Sequence, residues 1–274
     1  MDIYNLQFIR LRPHPTARDQ AVAASPLEAG TILVSVPSLS AVLLPSEKGK
    51  RCDGCHVLRS PALELKKCSA CSRYWYCGTK CMNTQEEFLI PHPVSAVAYV
   101  EYPFTGQKRE WKAHHRKICQ SYVRPSPTSG FRALSDTEDL DALLAQQVVA
   151  EMFPKDTYAY QERNDGSPFS VFMNLMKHPM SNTPLQTSRD RVMYGNPLSM
   201  AEEVRSRFAN NNFMIHSHLT PYAMGIFPLA SRLFNHSCVP NAVVKFIITP
   251  GERVRMDVVA LRAINIDDEV RPSG

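Results

Sequence analysis

Seven of the eight cysteines fall at the spacing of metal ligands. Two residues separate Cys52 from Cys55 and Cys68 from Cys71, and three separate Cys77 from Cys81. The seventh, Cys119, follows His115 with three residues between them. A tetrahedral zinc ion takes four soft donors, and a Cys-x2-Cys turn delivers two of them from one short loop. Seven thiolates and one imidazole make two complete sets of four. Closed sets leave no vacant position for water, so the chemistry they support is structural. Metal binding would stabilise a segment too small to build its own core. Buried free cysteines would not recur at this spacing, and a redox pair needs one Cys-x2-Cys, not several pairs.

A second dense string is Arg232-Leu233-Phe234-Asn235-His236-Ser237-Cys238-Val239-Pro240-Asn241. It is polar and turn-forming, set between an apolar run and a strand pattern. Its chemistry alone fits a polar surface loop with a proline turn as well as a ligand-facing loop.

The elements around these strings read as follows. Residues 1–47 carry short strand patterns, with a β-branched run at 31–36 closed by Pro37. Residues 124–130, rich in Pro and Ser, read as a linker. Ser135 with Glu138 forms a capping box, and Leu140, Leu143, Leu144 and Val148 then share one helix face. Ser199 with Glu202 opens a second helix carrying Val204 and Phe208. Residues 156–197 are polar and broken by prolines, and their pattern assigns no element. Runs at 243–248 and 254–260 flank Thr249-Pro250-Gly251-Glu252, a hairpin signal.

Composition sets the outer bounds. Apolar residues make up 44% and charged residues 21%, ordinary for a globular chain. No apolar run approaches the roughly 20 residues of a membrane helix. The start, residues 1–15, lacks the layout of a secretory signal, which points to the nucleus or cytoplasm and away from structural disulfides. The formal charge is +5. Seven thiolates around two divalent ions would bring it to about +2. A bulk nucleic-acid footprint is therefore weak, although His114, His115, Arg116 and Lys117 form a local basic patch. No helix interleaves basic and amide side chains for base readout, so sequence-specific DNA binding is not expected.

Residues 51–120 resemble the MYND finger family, in Tyr74-Trp75-Tyr76-Cys77 and in the run from Trp111 to Cys119. In that family the two sites interleave. The resemblance implies that Cys52, Cys55, Cys77 and Cys81 hold one zinc ion, and Cys68, Cys71, His115 and Cys119 the other. Either His114 or His115 can supply the nitrogen. His115 keeps the His-x3-Cys spacing and is the assignment taken, while His114 keeps a Trp-x2-His spacing. Residues 83–110 depart from the family as either a loop insertion or a translated intron. An inserted loop still permits both sites, because closure entropy grows slowly with length.

Asn235-His236-Ser237-Cys238-Val239-Pro240-Asn241 closely resembles the signature of SET-domain lysine methyltransferases. The resemblance implies that Asn235 and His236 contact S-adenosylmethionine, with Asn211 a further contact. The implied reaction moves a methyl group from a sulfonium to a neutral lysine amine, in line, with the enzyme positioning and desolvating. The implied partner is a protein presenting a lysine, such as a histone tail. A MYND finger inserted into a split SET domain is the layout of the SMYD group. The expected fold is therefore α+β: a β-rich SET fold split by a two-zinc finger, with a helical insert. The expected parts are 1–47 (first SET segment), 48–121 (finger), 122–206 (linker and helical insert) and 207–274 (C-terminal SET core).

Some family features are not matched. Residues 14–20 hold no Gly-x-Gly turn to approach the cofactor closely. The family's catalytic tyrosine and cysteine-rich tail would follow Val270, and the tyrosine is expected beyond Gly274. Methyl transfer from the polypeptide as it stands is accordingly expected to be weak or absent, and Cys238 is expected to be a buried free thiol. The competing reading is a catalytically inactive interaction protein that binds proline-containing peptides through its finger. His92, His178, His216 and His218 read as surface or core histidines, Asp267, Asp268 and Glu269 as a turn, and Met193, Met200, Met214 and Met224 as core.

Overall fold

The computed structural model describes residues 6–14, 19–78, 81, 115, 119, 140–152, 167–177 and 204–273. The expected linker at 124–130, the departure at 83–110, His114, His92, His178 and both capping boxes lie outside the described residues.

The first four strands are β1 (Ile9–Arg12), β2 (Gln20–Ala23), β3 (Ile32–Pro37) and β4 (Ser40–Leu43). They fulfil the expected short strands of the N-terminal part. The finger contributes a two-residue pair, β5 (Lys66–Lys67) and β6 (Trp75–Tyr76). Among the described residues, the helices that follow are α1 (Leu140–Met152), α2 (Pro168–Met173) and α3 (Phe208–Asn211). The chain ends in β7 (Asn212–Ser217), β8 (Thr220–Ile226), α4 (Pro228–Leu233), β9 (Ala242–Ile247) and β10 (Arg255–Ala260). No described helix is long and apolar enough to cross a membrane.

Two three-stranded antiparallel sheets form the body, ordered β3-β10-β9 and β4-β8-β7. β1 and β2 form a separate ribbon. In β3 both faces are covered: Leu33, Val34 and Val36 enter the core and Ser35 is buried among them. A buried hydroxyl needs a partner. Ser35 finds it opposite, donating to the Asp257 carboxylate on β10 and accepting from Arg255. The main core gathers Leu33, Ile215, Tyr222, Phe227, Met256 and Val258 between the two sheets. At Gly225 an added Cβ would come within 3.0 Å of Ile215 and 3.1 Å of Phe227, so only hydrogen fits where β4, β8 and β7 close on each other.

A second cluster seats the helices. Leu143, Leu144 and Val148 of α1 pack with Leu39, Val42, Phe172, Val204 and Phe208. Gln147 accepts from the buried Ser40 hydroxyl at 2.7 Å and so ties α1 to β4. α2 falls in the stretch whose pattern assigned no element. Ser167 caps it, accepting from the Ser170 N–H at 3.2 Å, and Pro168 occupies its first turn. The helix expected around Val204 and Phe208 is broken: Ser206 and Arg207 form a turn, and helix resumes for the four residues of α3. Arg207 explains the break, because its buried guanidinium donates to the Met173 carbonyl at the end of α2.

Two expectations fail at single residues. Met214 is 37% exposed because it lies on the outer face of an edge strand. Met224 is partly buried against the helix cluster, as the core reading required. Cys238 is exposed, not buried.

The β7–β8 hairpin turns on His218 and Leu219, both at positive φ (49° and 69°), the geometry of a turn that prefers Asn-Gly. Leu219 is 95% exposed, so its side chain contributes no packing to offset the strain. Leu219→Gly is expected to raise stability by about 1 kcal/mol in denaturant unfolding. A loss of stability would show that the turn is not strained.

Candidate functional site

Each Cys-x2-Cys pair is built by the same local turn. The N–H of His56 donates to the Cys52 carbonyl at 2.9 Å, and the N–H of Ser72 donates to the Cys68 carbonyl at 2.9 Å. His56 and Ser72 both take positive φ (61° and 56°), which folds each turn back on itself. The thiols of each pair thereby point to one side. Asp53, inside the first turn, locks it to β6. Its N–H donates to the Trp75 carbonyl at 2.7 Å and its carboxylate accepts from the Trp75 N–H at 2.8 Å. Lys48 pairs with the same carboxylate and lies over the Tyr74 ring.

The donors converge in two groups, Cys52, Cys55, Cys77 and Cys81 in one and Cys68, Cys71, His115 and Cys119 in the other. Within each group the ligand atoms lie within 4.8 Å of one another. A zinc ion with bonds of about 2.3 Å to sulfur sets sulfur–sulfur edges of about 3.8 Å, and sulfur–nitrogen edges of about 3.6 Å. The sulfurs of Cys55 and Cys77 are 3.5 Å apart, those of Cys77 and Cys81 3.7 Å, and those of Cys68 and Cys119 3.9 Å. His115 Nε2 lies 3.6 Å from the Cys71 sulfur and 3.3 Å from that of Cys68. All of these cysteines are free, and the separations are far beyond a disulfide bond of about 2.05 Å. The donor sets therefore fit two tetrahedral metal ions. The ions would cross-link the finger and supply no reactive position.

The electrostatics carry the same message. In the first group Cys55 is held below the usual thiol range chiefly by the Cys52 thiol. Cys52 and Cys77 are also lowered. Each is opposed by one neighbouring thiol, Cys55 and Cys52 respectively, and favoured by two others. Cys81 is driven strongly upward by hydrogen bonding with Cys52, Cys55 and Cys77. In the second group burial pushes Cys119 up to about 12 and raises Cys71, while backbone N–H groups offset burial at Cys68 and lower it. Four such thiols cannot all ionise in one pocket without a cation. His115 is pushed down to about 3, by burial and then by the Lys48 charge, so its imidazole is neutral and available as a ligand.

The first group also touches the sheet body. The N–H of Gly251, at the tip of the β9–β10 hairpin, donates to the Cys55 sulfur. His56 meets the ring of Tyr222 on β8 edge-on at 6.0 Å, and Arg51 lies over that ring at 4.0 Å. Arg51 donates to Glu47 and to the His56 carbonyl, so this cation is paired at both ends. Arg51 and His56 were not singled out by the sequence, and Gly251 was read only as part of a hairpin turn. The signal available was positional, since the residue after each Cys-x2-Cys pair must reverse the chain.

Asn235 and His236 sit after α4, beside a chain crossing. Residues 268–273 run between β2 and the 237–242 loop, with Val270 N–H donating to Ala21, Ala23 N–H to Asp268, and Asn241 N–H to Arg271. Asn235 is half-buried and its amide donates to Glu269 at 2.9 Å. His236 is exposed, 3.7 Å from the Cys238 sulfur. Cys238 is exposed because this loop bends outward ahead of β9. Asn211 is buried at the end of α3, its amide donating to the carbonyls of Arg207 at 2.7 Å and Met176 at 3.1 Å. Those bonds secure α3 to the segment after α2.

The family model described as SET domain matches residues 20–271. The chain belongs to the SET-domain family. Similar proteins include histone-lysine N-methyltransferase ASHR1 of Arabidopsis thaliana, 26% identical over 88% of this chain and 44% of that protein. N-lysine methyltransferase SMYD2 of Gallus gallus is 26% identical over 88% of this chain and 48% of its own length. SMYD2 of Bos taurus is 34% identical over 90% of this chain and 49% of its own length. The chain thus spans about half the length of the curated relatives it matches. The expected kinship with SMYD-type SET proteins and the β-rich fold with cysteine clusters are both borne out.

Because only the first metal group contacts β8 and the β9–β10 hairpin among the described residues, the two groups differ in consequence. Cys52→Ser is expected to lower hydrogen-exchange protection in 220–226 and 249–252 of the SET core. Cys68→Ser is expected to loosen 66–76 and leave the core protected. Equal loss of core protection in both variants would contradict the assignment of this contact to the first group.

Proposed function

We propose that this chain is the MYND-and-SET portion of an S-adenosylmethionine-dependent protein-lysine N-methyltransferase, with zinc ions in both donor groups. The observation that carries the reading is the crossing itself. The Asn235-His236 loop is pinned against β2 by the 268–273 segment through backbone and side-chain bonds, which makes a rigid rim from three distant stretches of chain. The parts 1–47, 48–121, 122–206 and 207–274 serve in this reading as SET, finger, helical insert and SET again.

Bound S-adenosylmethionine supplies an electrophilic methyl group on a sulfonium. The chain's task is to hold that cation and a neutral amine in line, without water between them. Asn235 suits the first part, because its carbonyl oxygen is an acceptor on a fixed loop beside an ionised carboxylate. A sulfonium and its accompanying ammonium call for acceptors and negative potential. His236, exposed on the same loop, offers its backbone to the same ligand. The zinc ions take no part in transfer, since both donor groups are complete. The substrate in this reading is a protein lysine, with a histone tail one instance, and the site of action is the nucleus or cytoplasm.

Isothermal titration of the whole chain with S-adenosylmethionine tests the reading without knowledge of the substrate. Saturable binding at one site per chain is expected, with transfer of labelled methyl groups to lysine in core histones or a cell extract as the second readout. A folded, zinc-loaded chain that shows no binding would contradict the enzyme reading. Binding of a proline-containing peptide by that same chain would then favour the interaction module.

A further inference from the structure

Glu269 occupies the middle of the crossing, and the sequence marks it only as part of a turn. Its side chain is 8% exposed. One carboxylate oxygen accepts from the Asn235 amide at 2.9 Å. The other accepts from the Gln20 amide at 3.1 Å and from Arg271 Nε at 2.7 Å. The backbone of Glu269 is fixed as well, its carbonyl accepting from the Asn241 amide at 2.9 Å, while Asn241 Oδ1 accepts from the Arg271 N–H at 2.8 Å. Gln20 is held from behind by Arg12 Nη2 at 2.8 Å. Arg232, beside the loop, pairs with Asp19 at 3.2 Å.

The chemistry of this hub is directional. An ionised carboxylate only accepts hydrogen bonds, so every neighbour must present a donor. Burial works against the charge on Glu269, but hydrogen bonds from Arg271 and Asn235 outweigh it and hold the carboxyl below the usual range. An asparagine amide otherwise has two orientations of nearly equal shape. Here Asn235 has one: its NH2 faces Glu269, with the Asp19 carbonyl at 3.5 Å as a second acceptor. Its Oδ1 is then turned away from the carboxylate, and Asn235 can meet a ligand only as an acceptor.

We propose that Glu269 is a positioning residue that fixes the Asn235 side chain with Oδ1 toward the N–H donors and positive charge of S-adenosylmethionine. The proposal rests on the reading of Asn235 as a cofactor contact. Glu269 does not touch the ligand in this scheme. It acts through Asn235, and through Gln20 it ties that orientation to β2.

Glu269→Gln preserves size but breaks the logic, since a single amide oxygen cannot serve Asn235 and the Gln20–Arg271 pair together. A double-mutant cycle on the full chain tests it, with the S-adenosylmethionine dissociation constant as the readout. Glu269→Gln and Asn235→Ala are each expected to weaken binding about tenfold, and the double variant to bind no more weakly than Asn235→Ala alone. In ligand-free chain, the Asn235 side-chain amide NMR signals are expected to move in Glu269→Gln while core methyl signals stay in place, which separates loss of orientation from loss of fold. Independent effects that multiply in the double variant would overturn the proposal and leave the cofactor reading intact. Unmoved Asn235 amide signals would also overturn it. A wild-type chain with the Asn235–Glu269 bond present that takes up no S-adenosylmethionine would overturn the cofactor reading and this proposal with it.

Discussion

Eight soft donors brought within bonding reach of two points impose the constraint on which the finger depends. Thiols a few ångströms apart repel once ionised, and within each group at least one thiol is driven upward and at least one is drawn down. A divalent cation at each point would resolve this by replacing the protons that neighbouring thiols would otherwise retain. Among the described residues, the finger's regular structure is two strands of two residues each, and its core is a small cluster of Tyr74, Tyr76 and the ligands themselves. Bound metal would therefore supply much of its order, as small scaffolds with little core require.

The finger is not an independent bead. Arg51 and His56 meet on the face of Tyr222, and the hairpin tip at Gly251 reaches the Cys55 sulfur. Burial pushes the Tyr222 hydroxyl up to about 12, with the Arg51 charge pulling the other way, so the ring stays neutral under a stacked cation. β8 carries Tyr222 at one end and the tight Gly225 contact near the other, and it pairs with β4 and β7. The first metal group thus borders the same sheet that leads, through β7, to Asn211. The 268–273 crossing binds β2 to the Asn235 loop. The two features come from chain stretches far apart in sequence, which is why the SET match has to run from residue 20 to residue 271.

Much of this was legible in the residue order, and the exceptions have physical reasons. Ligand spacing is local, so the paired cysteines announced themselves. The β-branched run of β3 and the apolar face of α1 likewise carry their periodicity within one element. The β9–β10 hairpin was read from Pro250-Gly251, and Gly251 does take positive φ (83°). The β7–β8 turn was missed because His218-Leu219 tolerates a geometry that neither residue favours. α2 was missed because its cap, Ser167 before Pro168, sits in a polar stretch with only one helical turn to support it. Cys238 was placed inside on the habit of free cysteines, whereas its loop turns outward. Glu269 could not be found by spacing, since Asn235 and Gln20, the partners that place it at the crossing, lie 34 and 249 residues away along the chain.

Metal in the finger is the requirement that everything else rests on. Native mass spectrometry of the purified chain, paired with thiol alkylation before and after unfolding, measures it directly. Two zinc ions per chain are predicted, with the seven finger cysteines protected until a chelator or denaturant is added and Cys238 reactive throughout. A folded chain at the mass of the bare polypeptide, with every thiol open to alkylation, would contradict it.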